Sequence, residues 1–160
     1  MKQRVLTAGT YTLLAISLLA LTGCSSSTGS PTKKMGSQKP CELISTQDLG
    51  AILQTSVPKP EMSGPQCQYS TANTVTVSMS RGVQSAKGGS EVAVEGQRAT
   101  KSEFAKGQGC VMDVQLADDD PQQLFSVAMV FGPDAVAKFG DKACELTEKV
   151  VAKVIQSLPG

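Results

Sequence analysis

The spacing of hydrophobic residues predicts a short helix at the start of the folded body. After Ser45, apolar residues recur at three- and four-residue intervals, as on one face of an amphipathic helix: Leu49, Ile52 and Leu53. Asp48 follows Ser45 by three residues, which resembles a capping box with Asp in place of Glu, so Ser45 is the predicted N-cap. Pro58 and Pro60 prevent the helix from continuing further.

Alternation of apolar and polar residues predicts strands over the middle of the chain. Residues 66–70 form a predicted short strand, and over 75–80 valine and methionine alternate with threonine and serine. The same period of two runs over 110–117, is interrupted at 118–121, and is followed by a segment rich in β-forming residues over 124–131. This pattern predicts a hairpin whose strands have one buried face and one solvated face.

The intervening segments are less regular. Residues 91–95 favour a further strand, and residues 97–109 leave strand and turn open. The polar, glycine-rich segment 82–90 and the segment 132–140 are predicted to be loops.

A final helix is predicted to start near Asp141 and to end at Pro159. Glu145 and Lys149 are spaced to pair on its outer side. Its apolar stripe comprises Ala143, Leu146, Val150, Val151, Val154, Ile155 and Leu158. The order of helix, several antiparallel strands and helix predicts the α+β fold class, with a short N-terminal helix and a longer C-terminal helix packed on an antiparallel sheet.

The first 24 residues have the pattern of an export signal. Lys2 and Arg4 precede an apolar run over 11–21, which is too short for a membrane-spanning helix. The run ends in Leu-Thr-Gly-Cys, which resembles the lipobox of bacterial lipoproteins and implies cleavage between Gly23 and Cys24 and attachment of diacylglycerol to the Cys24 sulfur. The alternative is a plain secretory signal with an incidental cysteine.

This assignment divides the chain into three parts. Residues 1–23 are the predicted signal peptide, 24–39 the lipidated cysteine with a flexible linker rich in Ser, Thr, Lys and Gly, and 40–160 a single α+β domain. The expected location is the extracytoplasmic face of the cell membrane, with the lipid bilayer as a partner through Cys24. Removing the two cations of the leader changes the formal charge from +1 to −1.

Four cysteines remain once Cys24 is assigned to lipid. An even number in an exported chain indicates disulfides, and four cysteines allow three connectivities. We favour Cys41–Cys67 and Cys110–Cys144, which would tie the first helix to the first strand and the hairpin to the last helix, and each bridge would stabilise the fold by about 3–4 kcal/mol. Neither the close pairs of a zinc site nor a C-x-x-C redox motif occurs, so no metal is expected.

Composition excludes several classes of function. The chain has no histidine, which removes Ser-His-Asp and Cys-His catalysis and histidine-ligated metals. Its near-neutral charge gives no basic surface for nucleic acid. The run Asp118-Asp119-Asp120 lacks the ligand spacing of a calcium loop and is interpreted as a charged turn, and Lys87-Gly88-Gly89-Ser90 lacks the spacing of a P-loop.

Several short motifs resemble a family of secreted, chiefly actinobacterial lipoproteins, domain of unknown function 3558. The motifs are Pro40-Cys41-Glu42-Leu43-Ile44-Ser45, Gly64-Pro65-Gln66-Cys67-Gln68-Tyr69, the strands around residues 94–99 and 109–114, and the helix from Ala143-Cys144-Glu145-Leu146 to Pro159. Tyr69 stands where the family usually has Trp. The resemblance implies a lipobox followed by one compact α+β domain over about residues 40–159, and it implies no catalytic residues.

These observations favour a membrane-anchored domain that binds an envelope protein or a small ligand. The alternative is a structural or accessory envelope lipoprotein without a ligand. Enzymatic activity and a cofactor are not expected, because the sequence shows no arrangement of catalytic groups.

Overall fold

The structure is a computed structural model in which residues 33–160 are described. The predicted signal peptide, its cleavage site and the lipid attachment at Cys24 lie outside the described residues.

The described residues form a seven-stranded antiparallel sheet with the strand order β1-β2-β3-β7-β6-β5-β4. The first three strands are a meander, the last four are a second meander, and the two meet where β3 pairs with β7. The strands are β1 Glu61–Ser63, β2 Gln66–Ser70, β3 Val75–Arg81, β4 Ser90–Val94, β5 Gln97–Glu103, β6 Gly109–Gln115 and β7 Leu124–Phe131. The helices are α1 Thr46–Leu53, α2 Pro133–Phe139 and α3 Ala143–Ser157, with short 3-10 turns at Pro40–Glu42, Ala105–Gly107 and Pro121–Gln123.

The period of two along each central strand separates a covered face from an open face. On the covered face, β3, β6 and β7 bury apolar side chains against α3, which contacts β6 and β7 and packs against α1. These side chains include Val75, Val77, Met79, Cys110, Met112, Val114, Phe125, Val127 and Met129. The open face has mainly small and polar side chains, among them Thr76, Ser78, Ser126, Asp113 and Thr100, and it also has Val111 and Val130. The predicted α+β architecture is therefore confirmed.

Helix α1 begins as predicted. The Ser45 side chain accepts a hydrogen bond from the Asp48 N–H (3.0 Å), which caps the first turn. The helix ends at Leu53, before the two prolines, because Gln54 adopts a left-handed conformation with φ of 51°. The entire predicted apolar stripe of α3 is buried, and Glu145 pairs with Lys149 at 2.6 Å on its exposed side.

Helix α2 and strand β1 differ from the sequence-based expectation. Residues 132–140 were predicted to be a loop, which is wrong, because α2 spans most of them. Pro133 begins this helix at a position where its missing N–H costs nothing, and Gly140 ends it. Buried Ala135 and a contact between the rings of Phe131 and Phe139 (5.5 Å between centroids) hold α2 on the body. Strand β1 was not predicted.

Residues 33–39 fall within the predicted linker, and the structure shows them packed on the body. Met35 is fully buried in the core, and its N–H donates to Gln123 Oε1 (2.9 Å). The Lys34 N–H donates to the Pro159 carbonyl (3.1 Å), which brings this segment beside the end of α3.

Both favoured disulfides are present. Cys41–Cys67 joins the 3-10 turn before α1 to β2, and Cys110–Cys144 joins β6 to α3. The bridges close loops with sequence separations of 26 and 34 residues, so each of the two meanders is covalently tied to a helical segment.

Candidate functional site

The connection between β3 and β4 crosses the open face of the sheet. β3 lies in the middle of the sheet and β4 at its edge, so residues 82–89, which we name the strap, must pass β7, β6 and β5. The strap starts beside β7, where the Gly82 N–H donates to the Leu124 carbonyl (2.8 Å), and it ends against β5, where Gly89 lies close to the Lys101 backbone. The strap thus covers part of a face that would otherwise be open to solvent.

Asp113 holds the middle of the strap from below. Its side chain projects from the open face of β6, and the residue is only 3% exposed. Its Oδ2 accepts two backbone hydrogen bonds from the strap, one from Ser85 N–H (2.8 Å) and one from Ala86 N–H (2.7 Å). Ala86 is buried at this contact, whereas Gln84, Ser85 and Lys87 are exposed.

The other carboxyl oxygen of Asp113 is unsatisfied. Oδ1 is buried and has no hydrogen-bond partner among the described residues. Within residues 33–160, Gln38 Oε1 is the other buried side-chain atom without a partner. Buried polar atoms are almost always paired, because an unpaired acceptor forfeits its hydration without compensation. Asp113 is therefore the residue at which this face departs most from ordinary protein structure.

A cavity of about 230 Å³ lies beside Asp113, between the strap and the edge of the sheet. Polar side chains dominate its wall, with Leu124 as its large apolar contributor. The lining residues are Gln84 from the strap, Glu91 from β4, Arg98, Ala99 and Thr100 from β5, Asp113 and Gln115 from β6, Asp118 from the following loop and Leu124 from β7.

The cavity wall contains more negative than positive charge. Arg98 forms an ion pair with Asp118, and both side chains are exposed. Glu91 and Asp113 have no ion-pair partner among residues 33–160. The remaining charge at the cavity is therefore that of two carboxylates.

Gln115 adds a further acceptor to this wall. Its side-chain N–H groups donate to the carbonyls of Ala117 and Asp120 in the loop that follows β6. Its amide oxygen remains to accept a hydrogen bond at the cavity. Asp120 in turn accepts from the Gln122 N–H (2.8 Å) and caps a 3-10 turn, so this member of the Asp118–Asp120 run has a structural role.

The far end of the open face has a different character. Val130 on β7 is exposed opposite Gly109 on β6, and the Phe104 ring lies against Gly109 and is itself partly exposed. These two apolar side chains form a small patch that is separate from the polar cavity.

The cysteines and the cleavage site predicted from the sequence do not lie at this cavity, whereas Asp118 of the predicted charged turn is in its wall. Both disulfides use the four cysteines of the folded body: Cys41, Cys67, Cys110 and Cys144. Gly23 and Cys24 lie outside the described residues. Sequence reasoning missed Asp113, because on an alternating strand it has the same appearance as any solvated polar residue. Its one distinguishing signal in the sequence is a charged residue between two apolar neighbours, Met112 and Val114. The structure shows that both neighbours are buried and that their strand lies inside the sheet.

Within residues 33–160, no cluster of three or more His, Cys, Asp or Glu side chains has the arrangement of a metal site. None of the helices in the same range combines the length and apolar composition needed to cross a bilayer.

Comparison with protein families, curated proteins and solved structures finds no match to this chain. The resemblance to the lipoprotein family therefore rests on its short motifs, and the cavity is interpreted from its own chemistry.

Proposed function

We propose that this protein is a lipid-anchored, extracytoplasmic domain of the cell envelope that binds a small ligand in the cavity beside Asp113. The lipobox ending at Cys24 supports the anchor, and the resemblance to secreted lipoproteins supports the same location. The disulfides fit an exported protein, because such bridges persist in oxidising compartments.

The observation that carries the binding function is the buried, unpaired Oδ1 of Asp113 at a concave, polar site. Ligand sites combine a cavity with a few convergent polar groups whose hydrogen bonds are completed by the ligand. A purely structural strap anchor would need only the Oδ2 atom that Ser85 and Ala86 already use.

Binding is tested by amide chemical shifts of the ¹⁵N-labelled protein. A set of small amines, sugars, carboxylates and amino acids is added separately, and the amides of Ser85, Ala86 and Asp113 are followed. Saturable shifts confined to the strap and β6 for at least one compound support the proposal. Absence of such shifts across the set contradicts it and favours an accessory lipoprotein without a ligand.

The accessory alternative has one observation in its favour, the exposed apolar pair Phe104 and Val130. Exposed apolar side chains that lie together are typical of contacts with another protein. A Phe104→Ser, Val130→Ser double variant would then lose a partner protein that crosslinks to the wild type in intact cells.

The anchor is tested by replacing Cys24 with Ala. The wild type is expected in the membrane fraction, with incorporation of labelled fatty acid, because two acyl chains hold a protein stably on a bilayer. The Cys24→Ala variant should incorporate no label, and Ser25→Ala serves as the matched control. Membrane retention of a processed Cys24→Ala chain would contradict the anchor.

A further inference from the structure

We propose that the cavity recognises a primary ammonium group of a small molecule, which enters when the strap opens and donates to Asp113 Oδ1 once the strap has closed again. This inference rests on the proposed binding function and specifies the chemistry of its ligand. It assigns two roles to one carboxylate: Oδ2 holds the strap, and Oδ1 binds the ligand.

The wall selects a positively charged hydrogen-bond donor. The carboxylates of Glu91 and Asp113 have no ion-pair partner among the described residues, and Arg98 is already paired with Asp118. The Gln115 side-chain amide donates to the carbonyls of Ala117 and Asp120, which leaves its oxygen as an acceptor. An anion would meet two uncompensated negative charges here, whereas a cation would neutralise a buried one.

The geometry of Asp113 favours ammonium over guanidinium. A guanidinium group binds carboxylates best in a bidentate manner, through both oxygens. Oδ2 is already occupied by two backbone N–H groups, so a single oxygen remains. A compact ammonium group, which acts as a point charge with three rotatable donors, matches one oxygen and the neighbouring Gln115 acceptor.

The size of the cavity limits the ligand to a small molecule. At about 230 Å³ it falls below the range of roughly 300–1,000 Å³ that is usual for drug-sized ligands. Thr100 and Gln84 on the wall supply further polar groups, so a short amine with a hydroxyl group fits the chemistry.

Oδ1 is buried in the present conformation, so a ligand reaches it only after a local movement, and we assign this movement to the strap, which contacts the same carboxylate through Oδ2. Gly82 and Gly88 bracket the strap, and their φ values of 68° and 72° lie in the left-handed region that glycine adopts without strain. Between them Ala86 is the only buried residue. A segment with so little buried surface opens at low free-energy cost compared with the sheet.

The test is an NMR titration of the full folded domain with ethanolamine, with ethylene glycol and tetramethylammonium as probes at matched ionic strength. Ethylene glycol has the same size as ethanolamine but no charge, and tetramethylammonium has the charge but no N–H. Saturable shifts of the Ser85, Ala86 and Asp113 amides are expected with ethanolamine and not with the other two probes. Equal responses to ethanolamine and either control would overturn the proposal.

The decisive variant is Asp113→Asn. Its carboxamide oxygen keeps the two strap hydrogen bonds, and its NH₂ replaces Oδ1 by a donor, so ethanolamine should bind at least tenfold more weakly. Asp134→Asn on α2, which follows the opposite end of β7, removes the same charge far from the cavity and should bind as the wild type does. Unchanged affinity in Asp113→Asn would refute the assignment.

Glu91→Gln provides a second variant, since Glu91 is exposed and its replacement leaves the strap intact. It should weaken ethanolamine binding severalfold without changing the dispersion of the spectrum, and wild-type affinity would count against the charge argument.

The proposed function and this inference can be contradicted by different results. Binding of neutral or anionic compounds at the cavity, without amines, overturns the ammonium assignment alone, whereas no binding of any compound overturns both.

Discussion

At the scale of single residues, Ser45 controls both the start of α1 and the ionisation of Asp48. Its Oγ accepts from the Asp48 N–H and donates to Asp48 Oδ2 (2.8 Å). This hydrogen bond, together with the one from Lys153, holds the pKa of Asp48 below its ordinary value. A depressed pKa in the folded state stabilises the protein above the unfolded value near 3.8, and this contribution disappears as the pH falls through the folded value.

The Ser45→Ala variant should therefore change two measurable properties. Loss of the cap should lower the free energy of unfolding in urea at pH 7 by about 1 kcal/mol. The pKa of Asp48, followed by NMR of its carboxyl carbon, should rise toward the ordinary value. Ser37→Ala, at an exposed position outside the helix, is the control. An unmoved Asp48 titration would show that Lys153 dominates instead.

Tyr69 is a second residue whose hydroxyl connects distant parts of the chain. It is buried on β2, and its O–H donates toward the carbonyls of Ile44 (3.1 Å) and Cys41 (3.3 Å). Burial raises the pKa of Tyr69 above its ordinary value. A raised pKa in the folded state means that the folded protein holds the phenol proton more tightly than the unfolded chain does. The stabilisation that results is present below about pH 10 and is lost as the pH rises through the pKa of Tyr69 in the folded protein.

We predict that Tyr69→Phe lowers the free energy of unfolding at pH 7 by about 1 kcal/mol, since it removes the hydroxyl that donates to the carbonyls of Ile44 and Cys41. In residues 24–160 Tyr69 is the only tyrosine, so absorbance at 295 nm reports its titration directly. The midpoint should lie above 10 in the folded protein and return to about 10 in denaturant. Identical midpoints in both conditions would contradict the prediction.

At the scale of elements, periodicity identified those segments whose packing is one-sided. Strands β2, β3 and β7 and the stripe of α3 follow from alternating or helical spacing, because one face of each is more buried than the other. Strand β6 is buried on both faces, and its alternation comes from Asp113 and Gln115, which lie between apolar residues. Helix α2 has only Ala135 buried, so its seven residues show no stripe. The three residues of β1 are all exposed, so they show no alternation, and their pairing with β2 creates the strand.

The disulfide between β6 and α3 should make a large contribution at this scale. Replacing both Cys110 and Cys144 by Ala should lower the free energy of unfolding by about 3–4 kcal/mol, because the bridge restricts a loop of 34 residues in the unfolded chain. The matched pair Cys41→Ala, Cys67→Ala, with a separation of 26, should lose a similar amount, since the dependence on loop length is logarithmic. Urea unfolding of the two double variants provides the comparison.

A loss below 1 kcal/mol in the first double variant would indicate that α3 is held on the sheet by its buried stripe alone. If the second double variant still lost about 3–4 kcal/mol, the two bridges would differ in their contribution to stability despite their similar sequence separations.

At the scale of the whole molecule, the cavity is a product of topology. Its wall combines the strap with residues of β4, β5, β6 and β7, so no local segment contains it. The sequence predicted 82–90 as a loop and 110–131 as a hairpin, but not that the loop crosses the hairpin. That crossing follows from the pairing of β3 with β7, a contact between residues about 50 positions apart that no spacing pattern encodes.

The same topology gives the molecule a hierarchy of stability, which native-state hydrogen exchange can measure. Central strand β7 pairs on both sides, so its amides should exchange only on global unfolding. The Ser85 and Ala86 amides are held by a single carboxyl oxygen and should exchange through local opening, at a much lower free energy and with little dependence on denaturant. Asp113→Ala should accelerate these two amides further, whereas Asp113→Asn should preserve them because its carboxamide oxygen still accepts both bonds. If the strap amides were as protected as those of β7, the strap would be part of the core, and a ligand could not reach Asp113 without unfolding the sheet.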